Sequence, residues 1–171
     1  MRKLLASTVL AVALLASVVA SSGATTAPRD QTTAKNLVQT AAADKRFTTL
    51  VSLVKRAGLA GALSSDAKLT VFAPTNAAFR KVPKATLSKL LADRAALRRV
   101  LLYHAVSGDL KAKDVVGLRS AKTLAGPKVR IRVREWKVYL NNRRTKVVQA
   151  DVAATNGTIH VINRVLLPPA R

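Results

Sequence analysis

The segment Leu69-Thr-Val-Phe-Ala-Pro-Thr-Asn-Ala-Ala-Phe79 constrains the fold more than any other stretch of the chain. Residues 69–73 are apolar and β-prone, and Pro74 fixes its own φ while holding Ala73 extended. Thr75 follows with a hydroxyl that can accept a hydrogen bond from a free amide of the next turn, as a helix N-cap does. The pattern predicts a short strand that runs through Pro74 directly into a capped helix. Alone, such a junction is common and identifies no family.

The chain opens with Arg2 and Lys3, an apolar run over residues 4–20, and the small residues Ser21, Ser22, Gly23 and Ala24. These are the charged, apolar and cleavage regions of a secretory signal peptide. A membrane anchor is the other reading, but the run falls short of the ~20 residues a spanning helix requires. Cleavage after Ala20 and cleavage after Ala24 both fit. The expected organisation is a signal peptide over 1–24, a flexible leader over 25–33 and a single domain over 34–169. The mature protein is then secreted, extracellular or cell-wall associated. No cysteine occurs in the sequence, which excludes a disulfide framework, a thiolate metal site and a cysteine nucleophile. The core has to hold by packing alone.

Lys and Arg number 30 against 8 Asp and Glu, a formal net charge of +22 that becomes +20 once Arg2 and Lys3 leave with the signal peptide. Such a balance bears on association rather than on fold. It attracts polyanions, and the attraction weakens in salt. Acidic polysaccharides, cell-wall polymers of the teichoic type and anionic membrane surfaces are the expected partners. Intracellular nucleic acid ranks last for an exported chain.

Residues 34–63 carry helical spacing through Leu37, Val38, Ala41, Phe47, Leu50, Val51 and Val54, with Gly58 and Gly61 marking the end. Further helices are expected from Thr75 to a break at Pro83, around Leu87 to Leu91, and around Arg94 to Leu102. From about Leu118 the period becomes two. Val129, Ile131 and Val133 alternate with Lys128, Arg130, Arg132 and Arg134, so one face of this strand is apolar and the other cationic. Val138 and Leu140 continue in a second strand, Asn141-Asn142 make a turn, and Val147-Val148 begin a third. Asn156-Gly157 signals a turn before a last strand from Thr158 to Leu167. Helices first and antiparallel strands afterwards give an α+β class, with N-terminal helices packed on a mostly antiparallel β-sandwich or wedge.

The catalytic inventory is thin. The eight acids are scattered singly, and no nucleophile elbow, phosphate-cradling glycine loop or paired-histidine metal motif occurs. No enzymatic activity, metal or cofactor is expected. His104 and His160 are the only histidines, and a structural hydrogen bond fits each better than a metal site without a third ligand. The Asn156-Gly-Thr158 sequon has a competing explanation in the turn itself.

The most individual feature lies at 128–146, where Lys128, Arg130, Arg132, Arg134, Lys137, Arg143, Arg144 and Lys146 face one acid, Glu135. Trp136, the only tryptophan, stands at the first turn. Two readings of it are open: an indole that stacks on a sugar or base or rests at a lipid interface, and an indole folded back under stacked arginines. The bases themselves either bind a polyanion or form a solvated face.

The Thr70–Phe79 junction and the downstream segment Asn156-Gly-Thr-Ile-His-Val-Ile-Asn163, followed by Val165-Leu-Leu-Pro168, together resemble the two signature boxes of the fasciclin domain. The likeness extends over about residues 36–168. Asn36-Leu-Val-Gln-Thr-Ala41 resembles the opening helix, Phe47-Thr-Thr-Leu-Val51 the second. Tyr103-His104 matches a tyrosine–histidine pair between the boxes, and Ala150-Asp151-Val152 an acidic-aliphatic step before the second. Ala77 stands where a glutamate is common and Asn163 where an aspartate is common. The resemblance implies a non-enzymatic adhesion domain. It marks Tyr103, His104, Asp151 and Val152 as contacts to a cell-surface or matrix protein, the alternative to polymer binding through the basic hairpin; for Asp151 a turn-capping role is the competing reading.

Overall fold

The computed structural model describes residues 35–141 and 144–169. The expected signal peptide and leader, together with Asn142 and Arg143, lie outside the described residues. The first helix, α1 (Leu37–Ala43), begins at Asn36, whose Oδ1 accepts from Gln39 N at 2.9 Å while Gln39 Oε1 accepts from Asn36 N at 3.0 Å. This reciprocal box satisfies two amides that the helix itself cannot. A 3₁₀ turn at Lys45–Phe47 leads into α2 (Thr48–Arg56), which turns Leu50, Leu53 and Val54 inward. Gly58, at φ 68°, ends it, and α3 (Ala60–Leu63) follows. Gly61 lies inside α3 and does not end the helical region, contrary to its expected role.

The strand–proline–helix junction forms as expected: β1 (Leu69–Pro74) runs into α4 (Asn76–Arg80), and Thr75 Oγ1 accepts from Ala78 N at 3.3 Å. Next come α5 (Lys84–Ala92) and α6 (Arg94–Tyr103), the latter capped by Asp93 Oδ1 through Ala95 N and Ala96 N. Strand β2 (Ala105–Ser107) and helix α7 (Ala112–Gly117) were not expected from the sequence. Helix α7 buries only Val115, and the residue before it, Lys111, has no side-chain acceptor to announce a cap. The remainder is β3 (Ser120–Lys122), β4 (Lys128–Arg134), β5 (Lys137–Leu140), β6 (Thr145–Ala154) and β7 (Gly157–Ile162). The last strand stops at Ile162 instead of reaching Leu167. The chain leaves the sheet there, and Leu166 N donates to His104 Nε2 at 2.9 Å in place of a ladder partner.

The sheet order is β2-β1-β7-β6-β5-β4-β3, antiparallel except where β1 lies parallel to β7. A bridge between Val106 and Thr123 joins its two ends, so the sheet nearly closes on itself. The class is α+β. Two cores result. Leu37, Leu50, Leu53, Leu63, Leu97, Leu101 and Ile159 form the one between helices and sheet. Phe72, Tyr103, Val129, Ile131, Leu140, Ile162 and Leu166 fill the inside of the curled sheet. Strands β1 and β7 are covered on both faces, which explains why they read as apolar runs while β4 alternates.

Candidate functional site

Strand register assembles the cationic feature into a surface. Cross-strand partners share a face of a sheet, and Lys122 pairs with Lys128, Ser120 with Arg130, Arg132 with Tyr139, Arg134 with Lys137, and Tyr139 with Lys146. The opposite face carries Ala121 on Val129, Ile131 on Leu140, and Val133 on Val138. One face of β3–β6 is therefore basic and points outward, with Tyr139 half-buried among the bases. Along β4 a cation recurs every second residue, about every 7 Å. Two of the pairs set like charges directly opposite, which weakens a sheet by a few tenths of a kcal/mol each. Among the described residues none of Lys122, Lys128, Arg130, Arg132, Arg134 and Lys137 has an acidic partner.

At the tip, Glu135 and Trp136 adopt φ 49° and φ 61°, the doubly left-handed geometry of a two-residue type I′ hairpin turn. That turn favours Asn and Gly. Trp136 is 100% exposed, so the indole does not fold back onto the sheet, and the stacked-arginine reading is corrected. A side chain with a Cβ at this φ costs on the order of 1 kcal/mol. Trp136→Gly is accordingly expected to stabilise the domain, by up to about 1 kcal/mol in urea unfolding, because glycine adopts φ > 0 without that penalty. Arg144 stands on the β5–β6 connection beside Thr145 and lines a cleft with Lys81 and Arg164.

Of the residues implied by resemblance, Tyr103 and His104 are interior, 1% and 2% exposed. Tyr103 Oη donates to Lys128 O at 3.3 Å and accepts from Asn141 Nδ2 at 2.8 Å, while Asn141 Oδ1 accepts from Arg130 N at 3.0 Å. The phenol thus buttresses the basic strand from beneath. His104 Nδ1 lies 2.7 Å from Val100 O, and Nε2 accepts from Leu166 N. Only the neutral ring protonated at Nδ1 serves both. Burial pushes its pKa down to about 4, against the hydrogen bond to Val100 O, which favours the charged form. His160 takes the other tautomer, with Nε2 2.8 Å from Leu110 O and Nδ1 accepting from Asp151 N. It also stacks on Phe72.

Asp151 sits within β6 at φ 56°, where the pairing with β7 shifts register between Gln149 and Val152. This irregularity carries it outward, and its Oδ1 accepts from Ala112 N at 2.7 Å. Asp151 is the cap that Lys111 cannot provide for α7. Val152 is half-buried against the helical core. The polar landmarks of the two boxes act in the same way. Asn76 Oδ1 accepts from Thr49 N at 3.0 Å, capping α2, whose preceding Phe47 has no acceptor. Asn156 Oδ1 accepts from Leu37 N at 2.8 Å, and its Nδ2 donates to Leu63 O and Ser65 O. Asn156 is only 4% exposed, so the folded domain offers no glycosylation acceptor there. The caps set by Asn76 and Asn156 carry no local signal because each acts on a helix distant in sequence, whereas for Asp151 the capping reading holds and the structure adds that the capped element is α7.

The fold is thus a nearly closed mixed sheet packed with helices, in which signature polar side chains are spent on capping helices distant in sequence. Residues 45–168 match the Fasciclin domain, and the chain belongs to that family. It is 43% identical over 138 residues to protein sll1483 of Synechocystis sp., covering 80% of this chain and 75% of that protein. It is 39% identical over 127 residues to the transforming growth factor-beta-induced protein ig-h3 of Sus scrofa, covering 74% of this chain but 18% of that protein. Among solved structures it resembles a FAS1 domain pair from the insect cell adhesion molecule fasciclin I. The TM-score is 0.64 at 20% identity, over 78% of this chain and 51% of that one, a likeness of fold.

Proposed function

We propose that this chain is an exported, non-enzymatic adhesion domain that attaches to acidic polysaccharide or cell-wall polymer through the outer face of β3–β6. The observation that carries this reading is the register, which lines up Lys122, Lys128, Arg130, Arg132, Arg134 and Lys137 on one face, with Glu135 at the hairpin tip as the one nearby acid and in salt bridge with none of them. Holding those charges together is unfavourable in isolation, and a polyanion lying across them relieves the repulsion while releasing its counterions. The fold acts as a rigid carrier, Tyr103 fixes the strand from below, and Trp136 adds an exposed ring for stacking on a sugar.

Binding to an immobilised heparin-like or teichoic polymer, followed across a salt series, is the test. The Arg130→Ser/Arg132→Ser double variant is expected to bind about tenfold more weakly at low salt, with a log–log salt slope shallower by nearly 2. Wild-type protein that ignores these polymers at low salt sinks the proposal. The competing reading is a protein partner met by Asp151 and Val152, favoured by the outward position of Asp151 at φ 56°. Binding that survives about 0.5 M salt and disappears in Asp151→Asn would replace the polymer reading. Asparagine keeps the acceptor oxygen that caps α7, so the loss would not reflect misfolding.

A further inference from the structure

A cleft of about 280 Å³ opens between the α4–α5 connection and the segment that follows β7. Val82, Pro83, Val165 and Leu167 supply apolar wall, and Lys81, Arg144 and Arg164 supply charge, with no acid in the lining. We propose that this cleft binds a small amphipathic anion, a carboxylate, sulfate or phosphate monoester on a short apolar body.

Three features support this. Arg164 is half-buried, and it has no hydrogen-bond or ion-pair partner among the described residues. A cation so placed has lost part of its hydration without gaining a counter-charge, and the neighbouring Lys81 adds repulsion. The positions are also fixed. Lys81 Nζ is held at 3.2 Å from Asn163 O, and the backbone beneath Arg164 is anchored by Asn163 Oδ1 accepting from Lys146 N at 2.8 Å. Further along, Leu166 N is tied to His104. Finally, the volume lies just under the ~300–1,000 Å³ of ordinary small-molecule sites, which suits a fragment-sized ligand rather than a polymer. Arg130, Arg132 and Arg134 take no part in the lining, so the cleft and the outer sheet face are independent.

The test is an amide-resolved NMR titration of the domain with octanoate, octyl sulfate and octyl phosphate, with octanol as the neutral control. Saturable shifts confined to Ala78, Lys81, Thr145, Val165 and Leu167 are expected with the anions and not with octanol. The three head groups distinguish which anion the site prefers. Arg164→Gln is expected to weaken octanoate binding at least about tenfold, the loss of a charge-assisted hydrogen bond, while leaving polymer affinity unchanged. Lys81→Gln gives a second reading of the same loss. Shifts scattered over the whole basic surface, an equal response to octanol, or an Arg164→Gln variant that binds octanoate like wild type would each overturn the proposal.

Discussion

Replacing Gly157 by alanine is expected to remove a large part of the domain's stability. Gly157 opens β7 at φ 148°, pressed against the first residue of β1, and a Cβ built there would sit 1.7 Å from Leu69 O and 2.8 Å from Leu69 C. Both obstructing atoms are backbone, so no rotamer change relieves them. The clash falls where Leu69 N donates to Asn156 O and where the register of the parallel β1–β7 pair begins. Separating β1 from β7 opens both cores at once, because those two strands are buried on each face. A loss of more than about 4 kcal/mol is expected, against the 5–15 kcal/mol that a domain of this size has in total. Gly126→Ala is the control. Gly126 has φ 102° but nothing within 4 Å of the added carbon, so it reports conformational strain alone, about 1–2 kcal/mol. Thermal and urea unfolding of the two variants separate the terms, and equal losses would refute the steric account.

Acidification is expected to produce the second large effect. His104 has a folded-state pKa near 4 against an ordinary 6.5, so between these values the unfolded chain binds the proton and the folded one does not. Stability is therefore complete above pH 6.5 and is lost as pH falls toward 4. The full difference amounts to about 3 kcal/mol. Protonation of Nε2 turns an acceptor into a donor facing Leu166 N–H, so that bond has to break. Asp44 is held below the ordinary carboxylate range by its hydrogen bonds with Arg46, so it titrates below this window and leaves it unaffected. Unfolding free energy measured from pH 7.5 to 4.5 checks the sign. An NMR titration showing His104 charging near 6.5 in the folded protein would contradict it.

Much of the fold was legible along the chain. Thr75, Asn36 and Asp93 each cap the helix that follows them, and a local cap is a local signal. The alternation of Val129, Ile131 and Val133 with Lys128 and three arginines in β4 stated which face is apolar and which is basic. Helix α7 was hidden because its cap comes from Asp151, and β2 because three residues carry too little pattern. The extent of β7 was overestimated since apolar residues after Ile162 enter the core without staying in the sheet.

The candidate site divides in the same way. Composition and alternation located the cations, and the exposed tip residue could be named. Whether Trp136 faced solvent or the sheet depended on a turn with two positive φ angles, which no propensity predicts for Glu-Trp. A structural hydrogen bond for His104 was legible from the absence of metal-ligand partners, but its partners Val100 and Leu166, and the support Tyr103 gives through Lys128 and Asn141, followed only from the tertiary structure.

By itself, then, the sequence determined the class of fold, the strand–proline–helix junction and the existence of one strongly cationic strand, because these rest on interactions between near neighbours. Only the tertiary structure decided that the bases of four strands share one outward face, that Arg144 and Arg164 converge on a separate cleft, and that Asn76, Asp151 and Asn156 cap distant helices. Those outcomes depend on strand register and on closure of the sheet, which bring together residues that no local pattern relates.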